Sequence, residues 1–299
     1  MRSSEYISEL DRKLKNIPNP KIVPSICCWS DLLGFGSKFT ECNWILNSKQ
    51  WREVINRLVR IQSILAKNLQ PPYEYSLILN DGVVRSYIMN NGIDHIQMLS
   101  LWIRSCVFFH NDALEEETTN KLPGIRTIIA AGEKALHNWE DIKLSDFVFN
   151  YTKVHHSGLS SFELSGNNPT VLFNPKPLQM NTAFSKAFII DEAGSRHGVG
   201  GSYFYVDESF IKLLKILSDN VDFCNGYIWE EKQDRVLFAI PKESYPHEYH
   251  LGFELQLPAI SVETKALKTN VYKALSFYPH DEDPRDFKIE IYRGYASKS

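Results

Sequence analysis

Between Val23 and Gly132 the apolar residues change spacing in an order that few folds accommodate: strand, helix, strand, strand, helix, strand. Val23 to Ser30 is a short, β-friendly run marked near its start by Pro24 and stopped by a turn at Gly34 and Gly36, which fits a buried strand. Trp51, Val54, Ile55, Leu58, Ile61, Leu65 and Leu69 then recur at three- and four-residue intervals, placing them on one face of a helix that stops before Pro71-Pro72. Tyr75 to Leu79 and Val83 to Met89 flank Asn80-Asp81-Gly82, a tight-turn signal, so the two runs form a hairpin closed off at Asn91-Gly92. Asp94 is placed to cap a second helix in which Ile96, Leu99, Trp102, Ile103 and Val107 are buried. A polar loop, Glu115 to Lys121, leads to a buried strand from Ile125 to Ala131. The order is that of an α+β, ferredoxin-like (βαββαβ) sheet.

That topology makes distant residues neighbours. The first and third strands of such a sheet are antiparallel and adjacent, so the end of the first lies beside the hairpin between the second and third. Asp31 ends the first strand and Asp81, fifty positions later, stands in the hairpin, so the two carboxylates converge at one sheet edge. Converging carboxylates repel unless a cation sits between them, and Mg²⁺ or Mn²⁺ held by one or two carboxylates and substrate phosphates resolves the repulsion. Such ions act in phosphoryl and nucleotidyl transfer. The plainer alternative is that Asp31 caps a turn and Asp81 serves the hairpin, since Asp-Gly is a common turn pair.

The second half has less periodic guidance. Residues 133–180 carry Gly158, Gly166, Pro169, Pro175 and Pro177, which predicts an excursion of loops and short strands. Asn181 to Ser195 reads as a helix, capped by Asn181 or Thr182 and ended by Gly194. A turn over Gly198 to Ser202, a helix from about Glu208 to Leu217, strand-like runs at Arg235–Ile240 and Phe253–Ile260, and a terminal strand near Lys288 to Gly294 complete the chain. No internal repeat or low-complexity linker interrupts it.

With 299 residues, 43% of them hydrophobic, the chain has enough apolar surface for a substantial core without staples. Its formal charge of −3 argues against general nucleic-acid binding, which calls for a basic excess. The five cysteines, Cys27, Cys28, Cys42, Cys106 and Cys224, form no CxxC pair and are odd in number, so reduced thiols and a cytoplasmic setting are expected. The charged N-terminal stretch has no apolar segment of the secretory kind, and the most apolar runs are too short or too interrupted to span a bilayer.

The stretch Trp29 to Phe35, WSDLLGF, resembles the strand-Asp-x-x-Gly-Phe motif of class III nucleotidyl cyclases, the adenylate and guanylate cyclases, and Leu79 to Val84, LNDGVV, is similar to their second metal-aspartate hairpin. Arg126 to Gly132, RTIIAAG, resembles the following Arg-Gly-x-Ile-x-x-Gly strand, with Thr127 in place of the first glycine. Met180 to Phe188 falls where the family has a helix bearing an asparagine and, four residues on, an arginine. The resemblance covers about residues 20–200. It implies a catalytic domain over 1–204, with 205–299 as an α/β extension packed on it.

The resemblance further implies that Asp31 and Asp81 hold two Mg²⁺ or Mn²⁺ ions on a nucleoside triphosphate, with the backbone of Leu32, Leu33, Gly34 and Phe35 near the phosphates and Arg126 reaching them from the sheet. The 3′-hydroxyl then attacks the α-phosphate and pyrophosphate leaves. Family sites lie between two antiparallel subunits, which implies a homodimer in which Asn181 acts on the partner's substrate. This sequence departs from the pattern at two places. Ser185 stands where the family has its transition-state arginine, with Lys186 about 100° further round the helix; a lysine supplies a point charge without arginine's bidentate fork. Leu77 occupies the position of the base-reading lysine of purine cyclases. The pyrimidine cyclases of bacterial antiphage signalling, which also lack such readers, are distantly similar in size and motif spacing. A cyclase-like module without turnover and a palm-type oligonucleotide synthase are the alternatives.

Other motifs point elsewhere only weakly. His155-His156 and His247-Glu248-Tyr249-His250 suggest metal ligands, but the second falls one residue short of HExxH spacing, and on a strand its histidines face opposite sides. The Gly198–Ser202 turn lacks the lysine of a P-loop. Cys27 and Cys28 are expected to pack in the core, as are Trp29, Trp102 and Phe184, unless these aromatics meet a second subunit. Arg126 has a second reading, as partner to an acidic neighbour.

Overall fold

A computed structural model describes residues 19–69, 74–89, 95–136, 149–152, 159–164, 171–175, 178–219, 226–242, 245–280 and 288–293. By compactness the chain divides into two units, residues 25–132 with 182–299, and residues 1–24 with 133–181.

The larger unit is organised on a mixed sheet. Strand β1 (Lys21–Leu32) leads through a short helix α1 (Ser37–Glu41) to α2 (Ser48–Lys67). The hairpin β2 (Glu74–Leu79) and β3 (Gly82–Ile88) precedes the long helix α3 (His95–Thr119), and β4 (Ile125–Leu136) closes the motif. These strands stand in the order β2-β3-β1-β4, the ferredoxin-like arrangement that the spacing predicts. β1 and β3 pair antiparallel with Trp29 opposite Val84 and Asp31 opposite Gly82.

The smaller unit carries β5 (Phe149–Thr152), β6 (Leu159–Leu164) and β7 (Val171–Pro175), an antiparallel three-stranded sheet within the excursion of short strands expected there. The chain re-enters the larger unit at α4 (Thr182–Ala193). Strand β8 (Phe204–Asp207) adds parallel to β4, and α5 (Glu208–Asp219) follows. β9 (Ile228–Lys232), β10 (Arg235–Lys242), β11 (Tyr245–Gln256), β12 (Ile260–Glu263), β13 (Lys268–Tyr278) and β14 (Ile289–Glu290) then extend the sheet through β13, which lies antiparallel to β8. Residues after 204 thus continue the sheet that β1 to β4 begin.

Strand alternation sorts the core. Ile26 and Cys28, on one side of β1, join a cluster with Leu99, Trp102 and Ile103 of α3, all at most 1% exposed. Leu32, two steps of alternation further on, packs with Val54 and Ile61 of α2 and Phe109 of α3. Trp29 leaves β1 on the opposite side and meets Phe184 and Phe188 of α4, at ring separations of 6.1 and 5.4 Å. α2 begins with a complete capping box: Asn47 Oδ1 accepts from the Lys49 and Gln50 amides, and Gln50 Oε1 accepts from the Asn47 amide.

Two expectations need correction. Glu115 to Thr119 is not loop but the last turn and more of α3, because Glu117 is buried there against Arg57; the helix ends only where Lys121 turns to φ 56°. The apolar face of α2 is narrower than its spacing implies: Val54, Ile61 and Leu65 are buried, whereas Trp51, Ile55 and Leu69 are 41–52% exposed. Asp94 and the His155-His156 pair fall outside the described residues, as does the side chain of His247. His250 lies parallel to His280 with ring centroids 5.1 Å apart. Cys27, Cys28 and Cys106 are buried free thiols. No helix among the described residues is long and apolar enough to cross a membrane.

Candidate active site

The antiparallel register of β1 and β3 brings Asp31 to the hairpin. Asp31 lies opposite Gly82, and the next amide, that of Leu32, donates to the Asp81 carbonyl at 3.3 Å. Asn80 takes the left-handed conformation, φ 56°, that a two-residue hairpin turn demands. Gly82 must be glycine because a Cβ there would sit 2.3 Å from the Trp29 indole. The same indole fixes a third carboxylate, its Nε1 donating to Asp191 Oδ2 at 3.1 Å.

Electrostatics join these three acids. Burial pushes the Asp31 carboxyl up to about 7, and the charges of Asp191 and Asp81 add to the shift while Arg126 and Arg57 oppose it. Asp81 is also raised, chiefly by burial, with a further push from Asp191; its backbone environment, Arg57 and the Asn80 amide, 3.2 Å away, hold it down. Neither Asp31 nor Asp81 forms an ion pair among the described residues. Asp191 does: Arg126 Nε donates to its Oδ1 at 2.5 Å and Arg126 Nη2 to its backbone carbonyl at 3.1 Å.

The remaining expected residues divide sharply. Arg126 gives its third nitrogen to the Val199 carbonyl at 3.0 Å, and its pair with Asp191 is the acidic partner of its second reading. Leu32 and Phe35 are buried, and the amides of Leu32, Leu33 and Phe35 are bonded to the carbonyls of Asp81, Gly124 and Leu32. Gly34 turns the loop at φ 65°. Leu77 is half-buried on β2 opposite Val84. Ser185 is exposed on α4, while Lys186 Nζ donates to the Ala131 carbonyl at 3.0 Å, which also accepts from Ser209 Oγ. Asn181 belongs to the other unit, where it is buried and bridged to Lys134.

Two residues of this region went unremarked in the sequence. Asp191 lies one turn after buried Ala187 on α4, and an acidic residue in the buried stripe of a helix is the signal that marks it. Arg57 on α2 clasps Glu117 through Nε at 3.0 Å and Nη2 at 2.6 Å, and Nη2 also donates to the Leu33 carbonyl at 2.9 Å. It ties the loop after Asp31 to two helices.

Whether this set fits a divalent ion turns on its uncompensated charge. Two partly buried carboxylates, both raised and neither paired with a cation, are a donor set that Mg²⁺ or Mn²⁺ completes with substrate oxygens and water. Among the described residues no group of three His, Cys, Asp or Glu side chains is gathered to hold an ion by itself.

No family model matches the sequence, and no curated protein matches it. Among solved structures, the chain is similar to the guanylyl cyclase Cya2, at 10% identity over 92% of this chain and all of that one, with a TM-score of 0.40. It is similar also to the adenylyl cyclase CyaB from P. aeruginosa, at 9% identity over 90% and 99% of the two chains and a TM-score of 0.36. A third likeness is to the dimeric guanylyl cyclase domain of the RhoGC fusion protein from the aquatic fungus Blastocladiella emersonii, at 10% identity over 86% and 97%, with a TM-score of 0.36.

Proposed function

We propose that the protein is a nucleotide cyclase that converts a nucleoside triphosphate to a 3′,5′-cyclic monophosphate and pyrophosphate, with Asp31 and Asp81 holding two Mg²⁺ or Mn²⁺ ions. The observation that carries this reading is the convergence of Asp31 and Asp81 at one sheet edge without a cation to pair them. When bound, the ions would make the 3′-hydroxyl more acidic and neutralise the polyphosphate. In the reaction the O3′–Pα bond forms, the bond from Pα to the bridging oxygen breaks, pyrophosphate leaves with the electron pair, and the hydroxyl proton goes to water. Arg57 holds the Leu33 carbonyl, and so the loop beside the reacting phosphates, in one position. A homodimer in which Asn181 serves the partner's substrate, and a role in antiphage signalling, belong to the same proposal.

A second reading, a cyclase-like module that binds a nucleotide without turning it over, is favoured by α4. Ser185 is exposed in place of an arginine, and Lys186 is already bonded to a backbone carbonyl. Incubation of the protein with each nucleoside triphosphate and Mn²⁺ separates the two. Cyclic monophosphate and pyrophosphate that disappear in Asp31→Ala support the cyclase; binding without product supports the module, and linked nucleotides point to an oligonucleotide synthase. If Lys186 reorients to neutralise transition-state charge, Lys186→Ala lowers kcat with little change in KM. An unchanged kcat removes it from the mechanism.

A further inference from the structure

Part of α2 that faces away from the core is apolar where a surface helix is ordinarily polar. Trp51, Ile55 and Val59 recur every fourth residue and are each about half exposed, a strip that spans about 80° of the helix and about 12 Å of its length. Trp44 and Ile45, in the turn before the helix, are 71% and 81% exposed, more than any other large apolar side chain among the described residues. Single apolar residues scattered over a surface need no explanation; five on one turn and one helix face do.

The turn is built to present them. Asn43 at φ 48° and Trp44 at φ 63° are successive left-handed residues, a conformation that a bulky side chain adopts only under constraint. The Trp44 amide donates to the Phe39 carbonyl at 2.7 Å and the Ile45 amide to the Cys42 carbonyl at 3.0 Å, while the Trp44 indole stacks on the Phe39 ring with centroids 5.7 Å apart. Phe39 also meets Trp51 edge-on at 5.9 Å and packs against the cluster that holds Leu32 and Phe35. One ring thus fixes both exposed indoles to the folded core.

Charge follows the same line. Residues 38–67 carry six lysines and arginines against two glutamates, in a chain whose formal charge is −3. Lys38, Arg57 and Arg60 are matched by Glu53, Glu117 and Glu116, but Lys49, Arg52 and Lys67 form no ion pair among the described residues. Arg52 stands about 20° beyond Val59 round the helix, and Lys49 and Lys67 about 80° beyond it. The unpaired cations therefore border the apolar strip on the side away from buried Val54, Ile61 and Leu65. Exposed indoles, an aliphatic strip and a cationic flank on one helix are the pattern of a segment that lies in the surface of an anionic bilayer. The rings sit at headgroup level, the aliphatic side chains reach the acyl boundary, and the cations meet lipid phosphates.

We propose that α2 and the turn before it form a docking surface for an anionic lipid bilayer, with Trp44, Ile45, Trp51 and Ile55 entering the interface and Arg52 and Lys49 meeting its phosphates. This goes beyond the cyclase reading and does not depend on it. A lipid surface is favoured over a folded protein partner because a convex helix face offers no pocket for a partner's anchoring side chains, whereas a bilayer adapts to it.

The test is flotation of the full chain with vesicles of phosphatidylcholine, alone or with roughly 30% phosphatidylglycerol, at about 0.1 M salt. The proposal predicts binding to the anionic vesicles, with a blue shift of tryptophan emission, and little binding to the neutral ones. Ile45→Ser and Trp44→Ser should each weaken it about tenfold, and Arg52→Gln about fivefold. The Ile45 side chain is largely in solvent, so Ile45→Ser tests the surface even if Trp44→Ser disturbs the turn. Absence of flotation overturns the proposal, as does equal binding by wild type and Ile45→Ser, or equal binding to neutral and anionic vesicles. A dimer in sedimentation equilibrium that Ile45→Ser dissociates, in a protein that binds no vesicle, overturns it as well and assigns the face to a second copy of the chain.

Discussion

Asp31 pays for its position in the folded chain, and the sign of that cost can be measured. Its carboxyl is pushed up to about 7 by burial and by Asp191 and Asp81, against about 4 for an aspartate in an unfolded chain. Between those values the folded state keeps a proton that the unfolded state has released, so stability falls as pH rises through this window. In EDTA, Asp31→Asn should therefore raise the melting temperature relative to wild type at about pH 8, and the gap should close toward about pH 4. Added Mn²⁺ should stabilise the wild type at the higher pH and not the variant. A gap independent of pH would show that Asp31 is not the strained group. Asp31 and Asp81 were legible in the sequence because each sits at a turn signal beside an apolar run. Asp191 was not, since its role depends on the Trp29 indole and on Arg126, both far away in sequence.

At the scale of elements, the loop that follows Asp31 is set by helices rather than by its own sequence. Arg57 of α2 and Glu117 of α3 form a pair whose side chains are 10% and 1% exposed, and the same guanidinium holds Leu33. Arg57→Met leaves Glu117 buried without its partner and should cost about 3–5 kcal/mol in denaturant unfolding, while the double change with Glu117→Leu should recover most of it. A single-variant loss below about 1 kcal/mol would place the pair with ordinary surface bridges.

A second joint between elements lies where His110 of α3 meets Thr127 of β4 at 2.9 Å, its other ring nitrogen facing the Tyr292 carbonyl. Burial holds this imidazole down to about 4, so the unfolded chain takes up a proton near 6.5 that the folded one refuses. Stability present above about 6.5 is lost as pH falls toward 4, by roughly 3 kcal/mol at about 1.4 kcal/mol per unit. His110→Gln should flatten that acid limb of the stability curve; a limb of unchanged slope would assign the loss to other groups. The helices and hairpin of this half were readable because each has its own period. The length of α3 was misread because Glu115 to Glu117 look like loop until Arg57 is placed against them.

Across the whole molecule, local order in the sequence carried the ferredoxin-like half, while the continuation of the sheet through β8, β13 and β11 stayed hidden. Those strands pair over long separations, and nothing in a strand's own alternation names its neighbour. What unites the sheet edge is charge: Asp31 and Asp81 are both raised and neither forms an ion pair among the described residues. The most direct test is anomalous diffraction from crystals grown with Mn²⁺ and a nonhydrolysable nucleoside triphosphate. Manganese peaks touching both Asp31 and Asp81 are the predicted result; manganese bound elsewhere, with those carboxylates unligated, would contradict the account.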